Sequence, residues 1–347
     1  MYMFIVKKKI NYEVKGFIMK KAKCVCKRVL AGLLVCVSLF NVWACTDETG
    51  SNKNSSSDSQ EEATPQVTTT TGKQEPQPVA DPIDALSKLE GVISLTEYSG
   101  NLNSQTVAYQ LVFASGENKE LEISAELILH KEFVKNDASL MFYYPEVSNM
   151  AINDVANMFV SKKVGVVRLF ARGFGGSQGM RDLGGNDLSD ALTLFSLCEK
   201  AGLTEGRRIY AAGSSEGSIT ALRMAEQLGD KLSGVSAVDL ISDVEEYCKY
   251  RGEAIAALFD SLIGTQEDMT NAYRVRSACY FVHEIKCPVL LIEYKDHPAF
   301  PKEQYDLFET AMNNAAVDYE RYTVDAIKSD YVGDSGKILL SWIASHE

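Results

Sequence analysis

Strand-like and helix-like patterns of apolar residues alternate along most of the chain. Residues 106–115 and 120–130 alternate apolar and polar positions, as two paired strands joined by a polar loop do. Short runs that are almost wholly apolar follow at 139–144, 164–170 and 287–294, and they predict strands buried on both faces. The chain is therefore predicted to begin its fold with an antiparallel hairpin and to continue with buried strands.

Between and after these strands, apolar residues recur at helical spacing. The predicted helices cover 153–163, 186–202, 218–229, 302–315 and 334–345. Further buried strands are predicted at 208–213, 234–240 and 318–324. Alternating strands and helices of this kind predict an α/β fold with a mostly parallel central sheet and helices on both of its faces.

The first 45 residues have a different character. From Met19 onward a basic stretch precedes an apolar stretch and then small residues before Cys45, which is the layout of a secretory signal peptide. We interpret residues 1–44 as this signal, with Met19 as the more typical start. The sequence Val42–Cys45 resembles a bacterial lipoprotein cleavage box, in which Cys45 becomes the lipidated first residue. The alternative is a single anchoring helix that is never cleaved.

Residues 45–83 are predicted to be a flexible tether. They are rich in Ser, Thr, Gln and Pro and contain almost nothing apolar, so they cannot bury enough surface to offset chain entropy. Residues 84–347 then form the folded domain. A lipid at Cys45 and a tether together predict an extracytoplasmic protein that is anchored to a bacterial membrane only through its N-terminal lipid.

Charge and cysteine usage exclude several classes of function. Residues 1–44 carry nine Lys or Arg and one Glu, so their removal changes the net charge of the 347-residue chain from −12 to −20. So acidic a body repels phosphate backbones, and nucleic acid is not expected as a partner. The cysteines of the domain are scattered without a C-x-x-C pair, so no metal or cofactor is predicted and no disulfide pairing is assigned. They are Cys198, Cys248, Cys279 and Cys287.

Residues 213–217, Gly-Ser-Ser-Glu-Gly, match the Gly-x-Ser-x-Gly pattern. The match follows a predicted strand and opens a predicted helix, which is the setting in which this pattern presents a nucleophilic serine. Ser215 is then the candidate nucleophile, exposed at a tight turn, and the backbone N–H of Glu216 is the candidate oxyanion donor. The alternative is an ordinary strand-to-helix loop.

With residues 164–179, "VGVVRLFARGFGGSQG", and 271–311, the pattern resembles the prolyl-oligopeptidase-like and esterase branch of the α/β-hydrolases. This resemblance implies an α/β-hydrolase fold and a serine hydrolase for small esters or short peptides. It places the acid near Asp296, where the family's position falls on His297 without a gap; the alternative for Asp296 is a solvated loop carboxylate. The family's histidine loop is here "VDAIKSDYVGDS", which contains no histidine.

Two outcomes follow for the proton acceptor. In the first, His297 serves as an irregular base, with Asp296, Asp325 or Asp330 as the acid, because triads are defined by geometry and not by chain order. In the second, no base exists, and the chain is a catalytically inactive surface lipoprotein that binds a ligand or a protein.

Two further residues are candidates by the same resemblance. Tyr144 can offer a hydroxyl as a second oxyanion donor, because Pro145 has no N–H; its alternative is packing under the loop. Arg172 can orient a substrate carboxylate with its planar fork, and its alternative is an ion pair with a nearby acid. The combined prediction is a serine hydrolase that acts through Ser215, with the inactive binder as the alternative.

Overall fold

A computed structural model of the chain describes residues 81–98, 102–133, 139–145, 153–325 and 331–346. The predicted signal peptide and Cys45 lie outside these residues, as does nearly all of the predicted tether. Within the described ranges, no helix is both long and apolar enough to cross a membrane.

The described residues contain nine strands that form one sheet. They are β1 Val92–Tyr98, β2 Thr106–Ser115, β3 Leu121–His130, β4 Ser139–Tyr144, β5 Val164–Leu169, β6 Ile209–Ser214, β7 Gly234–Val238, β8 Val289–Lys295 and β9 Tyr319–Asp325. Their order across the sheet is β1-β2-β3-β5-β4-β6-β7-β8-β9. The pairs β1–β2, β2–β3 and β3–β5 are antiparallel. All other pairs of neighbouring strands are parallel.

Helices connect these strands and cover both faces of the sheet. They are α1 Pro82–Ser87, α2 Asn153–Val160, α3 Leu188–Lys200, α4 Glu216–Leu228, α5 Val244–Arg251, α6 Glu253–Ile263, α7 Thr270–Arg274, α8 Ala278–Phe281, α9 Lys302–Ala315 and α10 Tyr331–Ser345. The predicted fold class, with its leading antiparallel hairpin and mostly parallel sheet, is confirmed.

Each face of the sheet carries its own apolar cluster. On one face, Phe195 of α3, Leu222 of α4 and Phe308 of α9 pack with the strands. On the other, Phe159 of α2 and Trp342 of α10 do so. Strands such as β5 are buried at every position because side chains on both faces meet helices, which explains their continuous apolar sequence.

A third apolar cluster involves the helices α5–α7. It contains Leu183, Ile219 of α4, and residues such as Val244, Phe259 and Tyr273. The cluster packs these helices onto the first turns of α4, which follows β6. The carboxyl ends of the parallel strands are therefore adjacent to a small helical layer, and the predicted functional residues are found at these ends.

Candidate active site at Ser215

A single residue joins β6 to α4, and that residue is Ser215. Its backbone angles are φ 55° and ψ −126°, a conformation that non-glycine residues rarely adopt. The tight bend depends on the flanking glycines. A Cβ at Gly213 would lie 2.0 Å from the carbonyl oxygen of Gly217, and one at Gly217 would lie 1.9 Å from that of Tyr144. Strand and helix thus approach at a distance that only glycine permits at these two positions.

Backbone hydrogen bonds hold Ser215 in place. Its amide donates to the Val238 carbonyl of β7 at 3.0 Å. Its carbonyl accepts the Ser218 amide at 2.9 Å and the Ser218 hydroxyl at 2.6 Å. Ser215 is 7% exposed, so it is more buried than the sequence pattern predicted. None of the hydrogen bonds among the described residues involves the Ser215 hydroxyl.

Glu216 follows Ser215 directly and opens α4. Its amide belongs to the first turn, where the positive end of the helix dipole favours developing negative charge. Its carboxylate forms an ion pair with Arg181, and both side chains are largely buried. Arg181 also lies over the ring of Phe174, at 5.4 Å from its centroid. The guanidinium offsets the charge of Glu216, which would otherwise oppose an oxyanion beside the Glu216 amide.

The side chain of Tyr144 lies in the core and not at the elbow, which is the tight bend formed by residues 213–217. Leu140, Phe142 and Tyr144 share one face of β4, because side chains alternate along a strand, and all three belong to the same apolar cluster. The Tyr144 hydroxyl is buried near Cys198, and burial raises its pKa. The predicted role of Tyr144 as an oxyanion donor is corrected to core packing. Its carbonyl oxygen lies so close to Gly217 that a side chain there would clash with it.

His297 follows β8 and is partly exposed. Its Nδ1 accepts the backbone amide of Ala299 at 3.2 Å, and its ring contacts Phe300 with centroids 5.2 Å apart. With Nδ1 accepting, the neutral imidazole carries its proton on Nε2 and therefore offers no lone pair there. This tautomer is the opposite of the one that a base facing Ser215 requires. That His297 acts as the base stays a prediction, and the Nδ1 contact argues against it.

The predicted acids have different environments. Asp296 is exposed and has a φ of 58°. Its exposure agrees with the alternative considered from the sequence, a solvated loop carboxylate. Asp325 ends β9 and is exposed as well. Asp330 lies outside the described residues. The structure therefore does not bring a described member of this group into a buried position beside Ser215.

Arg172 forms a bidentate ion pair with Asp190. Its Nε donates to Oδ2 at 2.7 Å and its Nη2 to Oδ1 at 2.9 Å, and Nη2 also contacts the Asn186 carbonyl at 3.1 Å. Both partners of this bidentate pair are buried. The predicted role in binding a substrate carboxylate is corrected to the alternative, an ion pair that fixes the loop before α3.

Sequence reasoning missed a pair of interlocked carboxylates near this loop. Asp187 accepts the amides of Asp182, Leu183 and Gly184 at 2.7–3.1 Å, and Asp182 accepts those of Asn186 and Asp187 at 2.7 and 3.0 Å. Arg276 contacts Asp182 at 3.2 Å. Burial and the neighbouring charge of Asp182 raise the pKa of Asp187 to about 7.

Asp182 responds in the opposite direction. Burial opposes its ionisation, but hydrogen bonds from Asp187 and from backbone amides hold its pKa below the ordinary value. The two carboxyl groups therefore share one proton near neutral pH. No sequence motif marks this pair, because its hydrogen-bond donors are backbone amides of the same loop.

A cavity of about 60 Å³ adjoins the elbow. Its wall includes Pro145, Phe170, Phe174, Arg181, Glu216 and Gly217. A water molecule needs roughly 10–15 Å³ of such space, so the cavity has room for a few water molecules or a small group of similar size. The wall combines aromatic rings with the Arg181–Glu216 pair.

The other histidines lie in local contacts of their own. Nδ1 of His130 accepts the Glu132 amide at 3.0 Å, and His283 is exposed beside Glu284. The His346 ring packs on Trp342, with centroids 4.6 Å apart. Among the described residues, no group of three or more His, Cys, Asp or Glu side chains is arranged to hold a metal ion.

Comparisons with solved structures identify the architecture. A puromycin-hydrolyzing peptidase of Mycobacterium tuberculosis superposes with a TM-score of 0.59 at 19% identity, over 72% of this chain and 41% of that one. Acetyl xylan esterase 1 of Thermoanaerobacterium sp. JW/SL YS485 gives 0.56 at 17% identity, over 75% and 90%. The chain has the α/β-hydrolase fold.

Sequence comparisons agree with this fold. Residues 162–324 match the model of the prolyl oligopeptidase family. YtmA, an uncharacterized peptidase of Bacillus subtilis (strain 168), is 28% identical over 134 residues, which are 39% of this chain and 52% of that protein. The chain thus spans about half the length of the curated relative that it matches. Together these matches support a serine hydrolase-like protein.

Proposed function

We propose that this α/β-hydrolase cleaves small carboxylic esters or short peptides through Ser215. The observation that carries the proposal is the bend at Ser215, held by Gly213 and Gly217 at the N-terminus of α4. This conformation is uncommon for a serine, and strained backbone of this kind is retained mostly where function requires it.

In the proposed reaction, the Ser215 oxygen bonds to the acyl carbon while its proton passes to solvent water. The bond to the leaving alkoxide or phenolate then breaks, and a water molecule hydrolyses the acyl-serine, which regenerates the Ser215 hydroxyl and releases the acid. The Glu216 amide and the N-terminus of α4 stabilise the oxyanion that develops. The adjoining cavity of about 60 Å³ favours a small acyl group over a long one. Esters are favoured over peptides, because an alkoxide or phenolate leaves without the protonation that an amine requires.

The test uses the purified chain and its Ser215→Ala variant. Both are treated with a fluorophosphonate probe and with the p-nitrophenyl esters of acetate, butyrate and octanoate. We expect labelling and acetate turnover that disappear in the variant, and acetate turnover well above octanoate turnover. Labelling that persists in Ser215→Ala, or an octanoate preference, would contradict the proposal.

A second candidate is favoured by a specific observation, the Ala299 amide bond to Nδ1 of His297. A serine site without its base retains only about 10³–10⁴-fold acceleration over water. The protein would then hold small acyl compounds or a protein partner without useful turnover. Absence of probe labelling in both proteins, together with binding of acetate esters by calorimetry, would favour this candidate.

We also propose that the protein is exported and anchored to a bacterial membrane through a lipid on Cys45. The support is the order of basic, apolar and small residues before Cys45. Detergent phase partitioning of the wild-type chain and of Cys45→Ala tests this. The wild-type chain is expected in the detergent phase and the variant in the aqueous phase.

A further inference from the structure

A second cavity, of about 690 Å³, is lined by the loop 180–186 and by residues of the helices α4, α6 and α7. We propose that it binds an organic monocarboxylate with an apolar tail, and that Arg223 and Arg276 hold the carboxylate. Small-molecule ligands usually occupy cavities of roughly 300–1,000 Å³, and the second cavity lies within that range. The inference does not depend on the proposed function of Ser215.

The second cavity is separate from the bend at Ser215. Arg223 is the residue of α4 that lines it, eight positions after Ser215, which is about 12 Å along a helix. The wall of the 60 Å³ cavity instead contains Glu216 and Gly217, at the start of α4. Arg172 is present in both walls. A ligand held by Arg223 would therefore lie about two helical turns from the proposed nucleophile.

Two arginines meet at consecutive glycines of the loop. A Cβ at Gly185 would overlap Nη2 of Arg276, and one at Gly184 would lie 3.6 Å from Cγ of Arg223. Burial lowers the pKa of Arg276; the charge of Asp182 opposes this effect, and the positive charge of Arg223 adds to it. The two guanidinium groups thus repel each other, and a carboxylate bound by both would relieve that repulsion.

Both guanidinium groups have N–H donors to offer a ligand. Arg276 donates from Nε to the Asp182 carbonyl at 2.7 Å, from Nη1 to the Ala272 carbonyl at 2.7 Å and from Nη2 to the Asp182 carboxylate at 3.2 Å. These bonds use three of its five donors. Arg223 pairs with Glu226 through Nη1, while its buried Nε has no hydrogen-bond partner among the described residues. A buried donor without a partner costs free energy, which a ligand oxygen would recover.

The charges of the wall favour a ligand with a single negative charge. Arg172 lines the second cavity together with Arg223 and Arg276, whereas the carboxylates in the described part of the wall are those of Asp182 and Asp268. The acidic partners of Arg172 and Arg223 are not part of it. Cationic side chains therefore exceed anionic ones by one, and the planar guanidinium fork matches the geometry of a carboxylate.

Apolar side chains supply another part of the wall. They include Leu262 and Ile263 of α6, and Met269 and Val275 on either side of α7. Met180 and Met269 are 66% and 44% exposed, so an apolar surface continues to the mouth of the cavity. Methionine adapts its flexible side chain to apolar groups of varied shape. This surface is suited to the tail of an amphipathic acid and not to a small inorganic anion.

Calorimetry of the full chain carrying Ser215→Ala tests the proposal, because acyl chemistry at Ser215 then plays no part. The probes are octanoate, acetate and 1-octanol. We expect one octanoate per chain with a dissociation constant of about 1 mM or below, and binding of acetate and 1-octanol that is at least about tenfold weaker. Absence of octanoate binding, or a second probe that binds as tightly as octanoate, would overturn the proposal.

Substitutions in the same background locate the ligand. Arg223→Gln should weaken octanoate binding by about tenfold or more, since a charge-assisted donor is lost. The matched control is Arg274→Gln, an exposed arginine outside the wall, which should stay within about twofold. Octanoate affinity that is undiminished in Arg223→Gln would place the ligand elsewhere and refute the assignment.

A pair of substitutions at the mouth tests the sign of the ligand's charge. Met180→Glu should bind octanoate at least about threefold more weakly than Met180→Gln, because only the former repels a carboxylate. Equal affinities would contradict an anionic ligand at this position. Urea unfolding checks that each variant is folded, and Arg223→Lys, which keeps the charge but loses the fork, replaces Arg223→Gln if the latter does not fold. Ester turnover enters none of these measurements, so failure of the proposed function leaves them interpretable.

Discussion

The interlocked carboxylates Asp182 and Asp187 make a pH-dependent contribution to stability that one substitution isolates. The pKa of Asp187 is about 7 in the folded chain, against an ordinary value of 3.8. A raised folded-state pKa means that the folded chain binds this proton more tightly than the unfolded chain does. Stability from this group is therefore greatest below pH 4 and is lost as the pH rises towards 7.

The magnitude follows from the two pKa values. Over the interval between them, the free energy of unfolding changes by about 1.4 kcal/mol per pH unit. Between pH 5 and pH 8, Asp187 should therefore account for a loss of roughly 2–3 kcal/mol. Other groups titrate in this range, so the quantity to examine is the difference between the wild-type chain and Asp187→Asn, which has no carboxyl group at this position.

Urea unfolding of both proteins at pH 5, 6, 7 and 8 provides the assay. At pH 5 the wild-type chain should exceed Asp187→Asn by the largest margin, because the variant also loses an acceptor for the loop amides. That margin should shrink by roughly 2–3 kcal/mol by pH 8. A margin that is constant across these pH values would refute the shared-proton arrangement, and one that grows with pH would reverse its sign.

Three further predictions concern the elbow and its surroundings. Gly217→Ala should lower the free energy of unfolding by about 3 kcal/mol or more and abolish probe labelling, because its Cβ meets the Tyr144 carbonyl. The control is Gly336→Ala, whose Cβ meets only the flexible end of Met158. Its free energy of unfolding, measured in urea, should change by about 1 kcal/mol or less. Arg172→Lys loses the bidentate contact with Asp190 and should cost about 1–3 kcal/mol in the same assay; no change would contradict a structural role. His297→Ala should leave the rate of probe labelling within threefold, and a loss of 100-fold would restore His297 as the base.

Much of the fold was predictable because it depends on local patterns. The strand 139–144 and the helix 302–315 were predicted with the bounds that the structure has. A continuous apolar run marks the strand, and apolar residues at helical spacing mark the helix. The helix α1 and the strand β1 were missed. β1 is an edge strand with exposed positions such as Ile93, so its sequence lacks the clear alternation of a half-buried strand.

The candidate site was predictable only in part, for a physical reason. The bend at Ser215 depends on five consecutive residues, so its pattern is visible in the sequence. Partners that come together through tertiary structure are not visible. Two examples are the pairing of Arg172 with Asp190 and the interlocking of Asp182 with Asp187, which depend on the packing of neighbouring loops.

The third apolar cluster links the small helical layer to the helix that begins at the elbow. Ile219 of α4 and Leu183 of the cavity wall belong to the same packed unit as Phe259 and Tyr273. A residue of the cavity wall thus packs in the same unit as the first turn of the helix that follows Ser215. Substitutions that loosen the packing of α5–α7 are therefore expected to weaken the first turn of α4 as well as the helical layer itself.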